Sequence, residues 1–173
     1  MDKRKLENQR VKRSITQALF HLLEEKSISE ITISEIIRMA GVARASFYRN
    51  YSSKESVLVT LIADVLEDFR TNMKCDGDNF YTYENVHLSF EYFSKYEKQM
   101  LDLHRFGYGS ILLYMLDSFH GEVAGDMPNN SIDKYSLYIY IGALYNTALV
   151  WLENGKKWST TEIADFFYKK CLT

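Results

Sequence analysis

Apolar positions along this chain recur at three- and four-residue intervals, and no stretch alternates apolar and polar residues for long enough to suggest a sheet. From about Lys5 to Glu25, Val11, Ile15, Ala18, Leu19, Leu22 and Leu23 form one stripe. After a loop at 26–31, Ile33, Ile36, Ile37 and Ala40 share a face. Thr32 and Glu35 ahead of them have the S/T-x-x-E spacing, in which two side chains cap each other's backbone N–H and start a helix. Gly41 stands where a chain leaving a helix needs left-handed backbone. The next segment, 42–50, predicts a short helix with Val42 and Phe47 inward and Arg44, Ser46, Tyr48 and Asn50 outward. Ser52 and Glu55 repeat the capping spacing and open a fourth helix, whose broad apolar face runs from Val57 to Phe69 and ends near Lys74.

Cys75 to Asn79 is a breaker cluster. Helices follow over about Phe80–Tyr96, Glu97–Phe106, Ser110–Val123 and Ile132–Glu153, with Gly125–Asn130 as a loop turning at Pro128-Asn129-Asn130. Ser159 and Glu162 cap a last helix ending near Cys171. The pattern predicts an all-α fold of about nine helices: a three-helix head over 1–54 and a helical body over 55–173.

Two short helices joined by a glycine turn are the helix-turn-helix pattern, whose second helix enters the major groove. Arg44 suits guanine and Asn50 adenine, Ala45 suits a thymine methyl, and the Tyr48 hydroxyl suits a phosphate. Ser46 shares their outward face. Thr32 and Ser34 lie at a helix N-terminus, where backbone N–H groups favour phosphate, and Lys54 adds a cation at the start of the fourth helix. A solvated polar face on a structural helical hairpin is the plainer alternative.

The stretch ITISEIIRMAGVARASFYRNYSSKESVL, with the apolar first helix ahead of it, resembles the N-terminal domain of the TetR family of bacterial transcription regulators. Gly41-Val42, Ser46-Phe47-Tyr48, Tyr51 and Lys54-Glu55 carry the likeness, which covers about the first third of the chain. Beyond it, only length, helical character and a tryptophan-bearing helix near the end agree. The resemblance implies that the positions named above meet DNA. Asn50 departs from it, standing where many members carry His.

Charge divides the chain in the same place. Residues 1–56 hold 11 Lys+Arg against 7 Asp+Glu, and the remainder holds 10 against 16. A basic head suits a polyanion, which the acidic body repels. Lys3, Arg4, Lys5, Arg10, Lys12 and Arg13 read either as a flexible basic arm or as a solubilising N-terminus.

The body is rich in aromatics, and Tyr83, His87, Phe90, Phe93, His104, Tyr108, Tyr114 and Tyr145 are candidates to line a pocket for a small-molecule effector. Aromatics at helical spacing equally build cores. Tyr138, Ile141, Gly142, Tyr145 and Leu149, with Phe166 and Phe167 on the last helix, are candidates for a homodimer interface, since the resemblance implies pairing through the last two long helices. Packing within the chain competes for the same residues.

The sequence has no phosphate-binding glycine loop, G-x-S-x-G, H-E-x-x-H or paired acids, so neither an enzyme nor a cofactor or metal is expected. Cys75 and Cys171 lack metal-ligand or redox spacing. The polar, basic start and the short apolar runs predict a cytoplasmic protein without secretion signal or membrane span. The expectation is a dimeric regulator that reads double-stranded operator DNA with an inverted repeat, represses, and is released by an effector. The alternative is an interaction protein or activator whose body binds a partner protein.

Overall fold

The computed structural model describes residues 3–73, 81–125, 128 and 131–172. The expected breaker cluster from Cys75 to Asn79, Phe80, and residues Asn129 and Asn130 of the expected turn lie outside the described residues. Among the described residues the chain is helical throughout: α1 (Lys3–Leu23), a 3₁₀ turn (Ile28–Glu30), α2 (Ile33–Ala40), α3 (Arg44–Asn50), α4 (Glu55–Asn72), α5 (Tyr83–Lys95), α6 (Glu97–Arg105), α7 (Gly109–Ala124), α8 (Ile132–Glu153) and α9 (Thr160–Cys171). None of these helices is long and apolar enough to cross a membrane. Two compact units divide between Asp64 and Val65, within α4 and not ahead of it.

The first unit packs α1 against α2 and α3. Ile15, Leu19, Ile31, Ile36, Phe47 and Leu58 are fully enclosed there. Burying one such side chain contributes about 1.5–3 kcal/mol, which offsets the entropy of ordering helices too short to persist alone. Tyr51, immediately after α3, is buried, and its side chain meets Thr16 of α1. Lys12 Nζ lies 2.5 Å from the Asp64 carboxylate and ties α1 to α4. The basic residues from Lys3 onward are therefore part of α1, not a flexible arm.

The second unit has an aromatic interior. Phe90 meets Trp151, Phe93 and Phe167 edge-on, at ring-centre separations of 5.7, 6.2 and 5.9 Å. Tyr140 continues the cluster to Phe167 and His120. Edge-to-face geometry sets the positive ring edge against a neighbour's negative face, adding about 0.5–1.5 kcal/mol per pair to the area buried. Burial pushes the His120 imidazole down to about 4, so it is neutral at physiological pH.

Candidate nucleic-acid interface

Local chemistry fixes the start of α2. Thr32 Oγ1 accepts from the Glu35 N–H at 3.2 Å, and the Glu35 carboxylate accepts from the Thr32 N–H at 2.8 Å. Lys26 Nζ sits 2.5 Å from the same carboxylate. The hydrogen bond from Lys26, then those from Thr32, hold the Glu35 carboxyl down to about 2. Gly41 closes α2 with φ of 64°, the left-handed backbone that an L side chain resists. The cap of α4 is shifted from the expected Ser52–Glu55 pair: Ser53 and Ser56 cap each other instead, each backbone N–H donating to the other's hydroxyl at 3.1 Å.

These anchors leave a continuous face outward. Thr32 and Ser34 are exposed at the start of α2, and Arg44, Ala45 and Tyr48 are exposed on α3. Ser46, Asn50 and Lys54 are half-buried. In the free protein several of these groups are already engaged. The Arg44 guanidinium lies over the Tyr48 ring, 5.3 Å from its centre, and donates to its hydroxyl at 3.2 Å. Asn50 donates its amide to the Ser46 carbonyl at 2.9 Å, folding back on its own helix rather than projecting toward a base. Lys54 donates to the carbonyls of Ile31 and Ser29 at 2.7 and 3.2 Å, so its ammonium is turned into the protein. Arg49 went unrecognised in the sequence; it is exposed, four residues after Ala45 and on the same face. Its spacing and charge were the available signal.

The body distributes the eight expected pocket residues over separate places. Tyr83 and His87 share a surface groove of about 350 Å³ with Glu84, Leu88 and Glu91. His104 lines a second groove of about 690 Å³ with Leu101 and Arg105, and Tyr114 a third of about 560 Å³ with Asp117 and Tyr138. Phe90, Phe93 and Tyr145 are buried, and Tyr108 is half-buried just ahead of α7. The edge-to-face packing gathers Phe90 and Phe93 into the core, while Tyr83, His87, His104 and Tyr114 reach the surface grooves. Tyr145 also keeps its hydroxyl 3.3 Å from His104 Nδ1, and a Cβ at Gly109 would come within 2.6 Å of that hydroxyl.

Burial likewise divides the expected dimer stripe. Ile141, Tyr145, Leu149 and Phe167 are buried within this chain, so its own core uses them. Tyr138 and Phe166 are exposed and Gly142 is half-buried. The apolar residues left uncovered on α8 lie on the other side: Ile132 and Ile139 are 75% and 73% exposed and Val150 56%. Trp158 and Phe166 add an exposed edge-on pair at 5.5 Å.

A family profile described as "Bacterial regulatory proteins, tetR family" matches residues 15–61. The chain is 36% identical over 76 residues to an uncharacterized HTH-type transcriptional regulator, YxbF, of Bacillus subtilis (43% of this chain, 19% of the relative). It is 37% identical over 46 residues to the HTH-type transcriptional regulator EthR of Mycobacterium tuberculosis (27% of this chain, 21% of the relative). The matches thus span about a fifth of these curated relatives. Among solved structures, a TetR transcriptional regulator from Streptococcus agalactiae superimposes with a TM-score of 0.57 at 21% identity, covering 97% of each chain. The fatty acid degradation regulator FadR from Bacillus halodurans gives 0.59 at 19%, covering 94% of each chain. These two likenesses establish the all-helical fold over nearly the whole chain.

Proposed function

We propose that this chain, which belongs to the TetR family of bacterial regulatory proteins through its N-terminal helix-turn-helix domain, is a dimeric transcriptional regulator that reads operator DNA with α2 and α3. The observation that carries the reading is the outward face of α3, where Arg44, Ala45, Tyr48 and Arg49 are exposed beside the anchored start of α2. Such a face offers base-edge donors and phosphate contacts together. Selection of random-sequence duplexes against the chain tests it. The expected product is an inverted repeat whose half-sites lie about 34–36 Å apart or a multiple of that. Failure to enrich any sequence contradicts it.

The uncovered side of α8 supports the dimer. Ile132, Ile139 and Val150 leave an apolar surface that monomers seldom carry, and Gly142 and Ala143 between them allow close helix approach. A two-fold interface places this face against itself. Ile139→Glu then buries a charge without a partner. A central interface residue of this kind carries about 2 kcal/mol, roughly thirtyfold in dimer dissociation. Sedimentation should report about twice the 20.3 kDa chain mass for wild type and a shift toward monomer for the variant. A wild-type monomer contradicts the dimer and the two-fold operator with it.

Release by a small-molecule effector, and hence repression, is the finer reading. It is supported by the acidic, tyrosine-bearing body, where the groove beside Tyr83, His87, Glu84 and Glu91 favours a neutral or cationic ligand over an anion. By linkage, operator DNA lowers the effector's affinity by the factor with which effector lowers the operator's. Equal ligand affinity for free and DNA-bound protein would instead favour a partner protein on the body.

A further inference from the structure

The peptide unit between Ile31 and Thr32 is held at both ends by side chains. Its carbonyl accepts from Lys54 Nζ at 2.7 Å, and its N–H donates to Glu35 at 2.8 Å. Lys54 reaches a second carbonyl of the same loop, Ser29, at 3.2 Å. Glu35 is itself held by Lys26 at 2.5 Å. Ile31 is buried, so its side chain fixes the third direction. This unit opens directly into α2, whose first N–H groups have no intrahelical acceptor and set the direction of the helix dipole. A small rotation of it would swing those N–H groups and the Ser34 hydroxyl together.

We propose that Lys54 is a positioning residue for DNA recognition: its ammonium clamps the carbonyls of Ser29 and Ile31 and so aims the N-terminus of α2 at the phosphate, instead of meeting a phosphate as its main task. Two of its three N–H donors are engaged in the free protein, and its side chain reaches the loop from 23 and 25 residues away in sequence. The proposal rests on the reading of α2 and α3 as a DNA-binding pair. It departs from the sequence expectation, in which Lys54 is one more phosphate contact. A phosphate ligand acts alone, whereas a clamp acts through the groups it orients.

The test compares wild type with Lys54→Met, which keeps the aliphatic stem and loses the donors, Ser34→Ala, and the double variant, all in the full chain. The first measurement needs no DNA. Amide exchange of Thr32, Glu35 and Ile36, the hydrogen-bonded amides at the start of α2, should quicken about tenfold or more in Lys54→Met, while the amide of Leu19 in α1 stays as in wild type. An unchanged rate at α2, or an equal rise in α1, overturns the proposal. The second uses a selected operator duplex and a scrambled duplex of the same length. Lys54→Met and Ser34→Ala should not multiply their losses, because the hydroxyl is already misaimed once the clamp is gone. The slope of log affinity against log salt should stay near that of wild type. Multiplying losses, together with a slope smaller by about 0.9, would make Lys54 an independent phosphate ligand and overturn the clamp. Should wild type fail to prefer the operator, the DNA reading falls, and the exchange measurement still decides whether Lys54 orders the loop.

Discussion

The two units expose opposite kinds of surface. The head encloses mostly aliphatic side chains around Phe20, Phe47 and Tyr51, and turns outward Arg44, Tyr48, Arg49 and the polar start of α2, held by short-range pairs. The body encloses rings and histidine and turns outward Ile132, Ile139, Val150, Trp158 and Phe166. A polar, cationic face loses little by staying wet and gains by meeting phosphate. An exposed apolar face gains by meeting another protein surface. On the proposed reading, one unit is thus made for nucleic acid and the other for its own copy.

The largest expected effect lies in the body's rings. Phe90→Ala removes a fully buried ring that meets Trp151, Phe93 and Phe167. It should cost about 3–5 kcal/mol. Both tryptophans, Trp151 and Trp158, lie in the body, so fluorescence during urea unfolding reads this unit directly. A loss under about 1 kcal/mol would mean that the cluster repacks and that the contrast between the interiors is overstated.

Acid should separate the units next. His120 has its folded pKa pushed from 6.5 to about 4, so its burial as the neutral base stabilises the body above pH 6.5. That contribution, on the order of 3 kcal/mol, is lost as pH falls from 6.5 toward 4. Glu35, lowered from 4.5 to about 2, stabilises the head above pH 4.5 and loses that contribution as pH falls toward 2. Tryptophan fluorescence should therefore report weakening of the body at pH 5, where helix exchange in the head is unaffected. His120→Gln should remove the difference in urea midpoint between pH 7 and pH 5. A persisting difference would place the titration on another group.

The smallest of the three effects concerns recognition. Arg44→Ala should cost about 1–3 kcal/mol on a selected operator and much less on scrambled DNA. Tyr48→Phe keeps the ring beneath the guanidinium and loses the hydroxyl, so it should weaken both duplexes alike. Equal losses for Arg44→Ala on both duplexes would make it a backbone contact and would reduce the head to an unspecific basic surface.

The head was legible because its devices are local. Thr32 with Glu35, and Gly41, each announce a backbone need within a few residues, and each is met, as Ser159 with Glu162 does in the body. The Ser52–Glu55 spacing misled because Ser53 and Ser56, one step along, cap each other. The engagements of Lys54 and Asn50 stayed hidden because a side chain's partner depends on the folded chain, not on spacing alone. In the body the bounds of α8 were readable but its buried side was not. The helix is apolar nearly all the way round, so periodicity could not tell Ile141 and Leu149 from Ile139 and Val150. The rings could not be sorted into pocket and core for the same reason.

The central claim, that the exposed face of α2 and α3 reads sequence, is tested most directly by fluorescence anisotropy of wild-type chain on two duplexes of equal length, one a selected operator and one scrambled, at one salt concentration. The operator is expected to bind about a thousandfold or more tighter. Equal affinity for the two, falling together as salt rises, would contradict it.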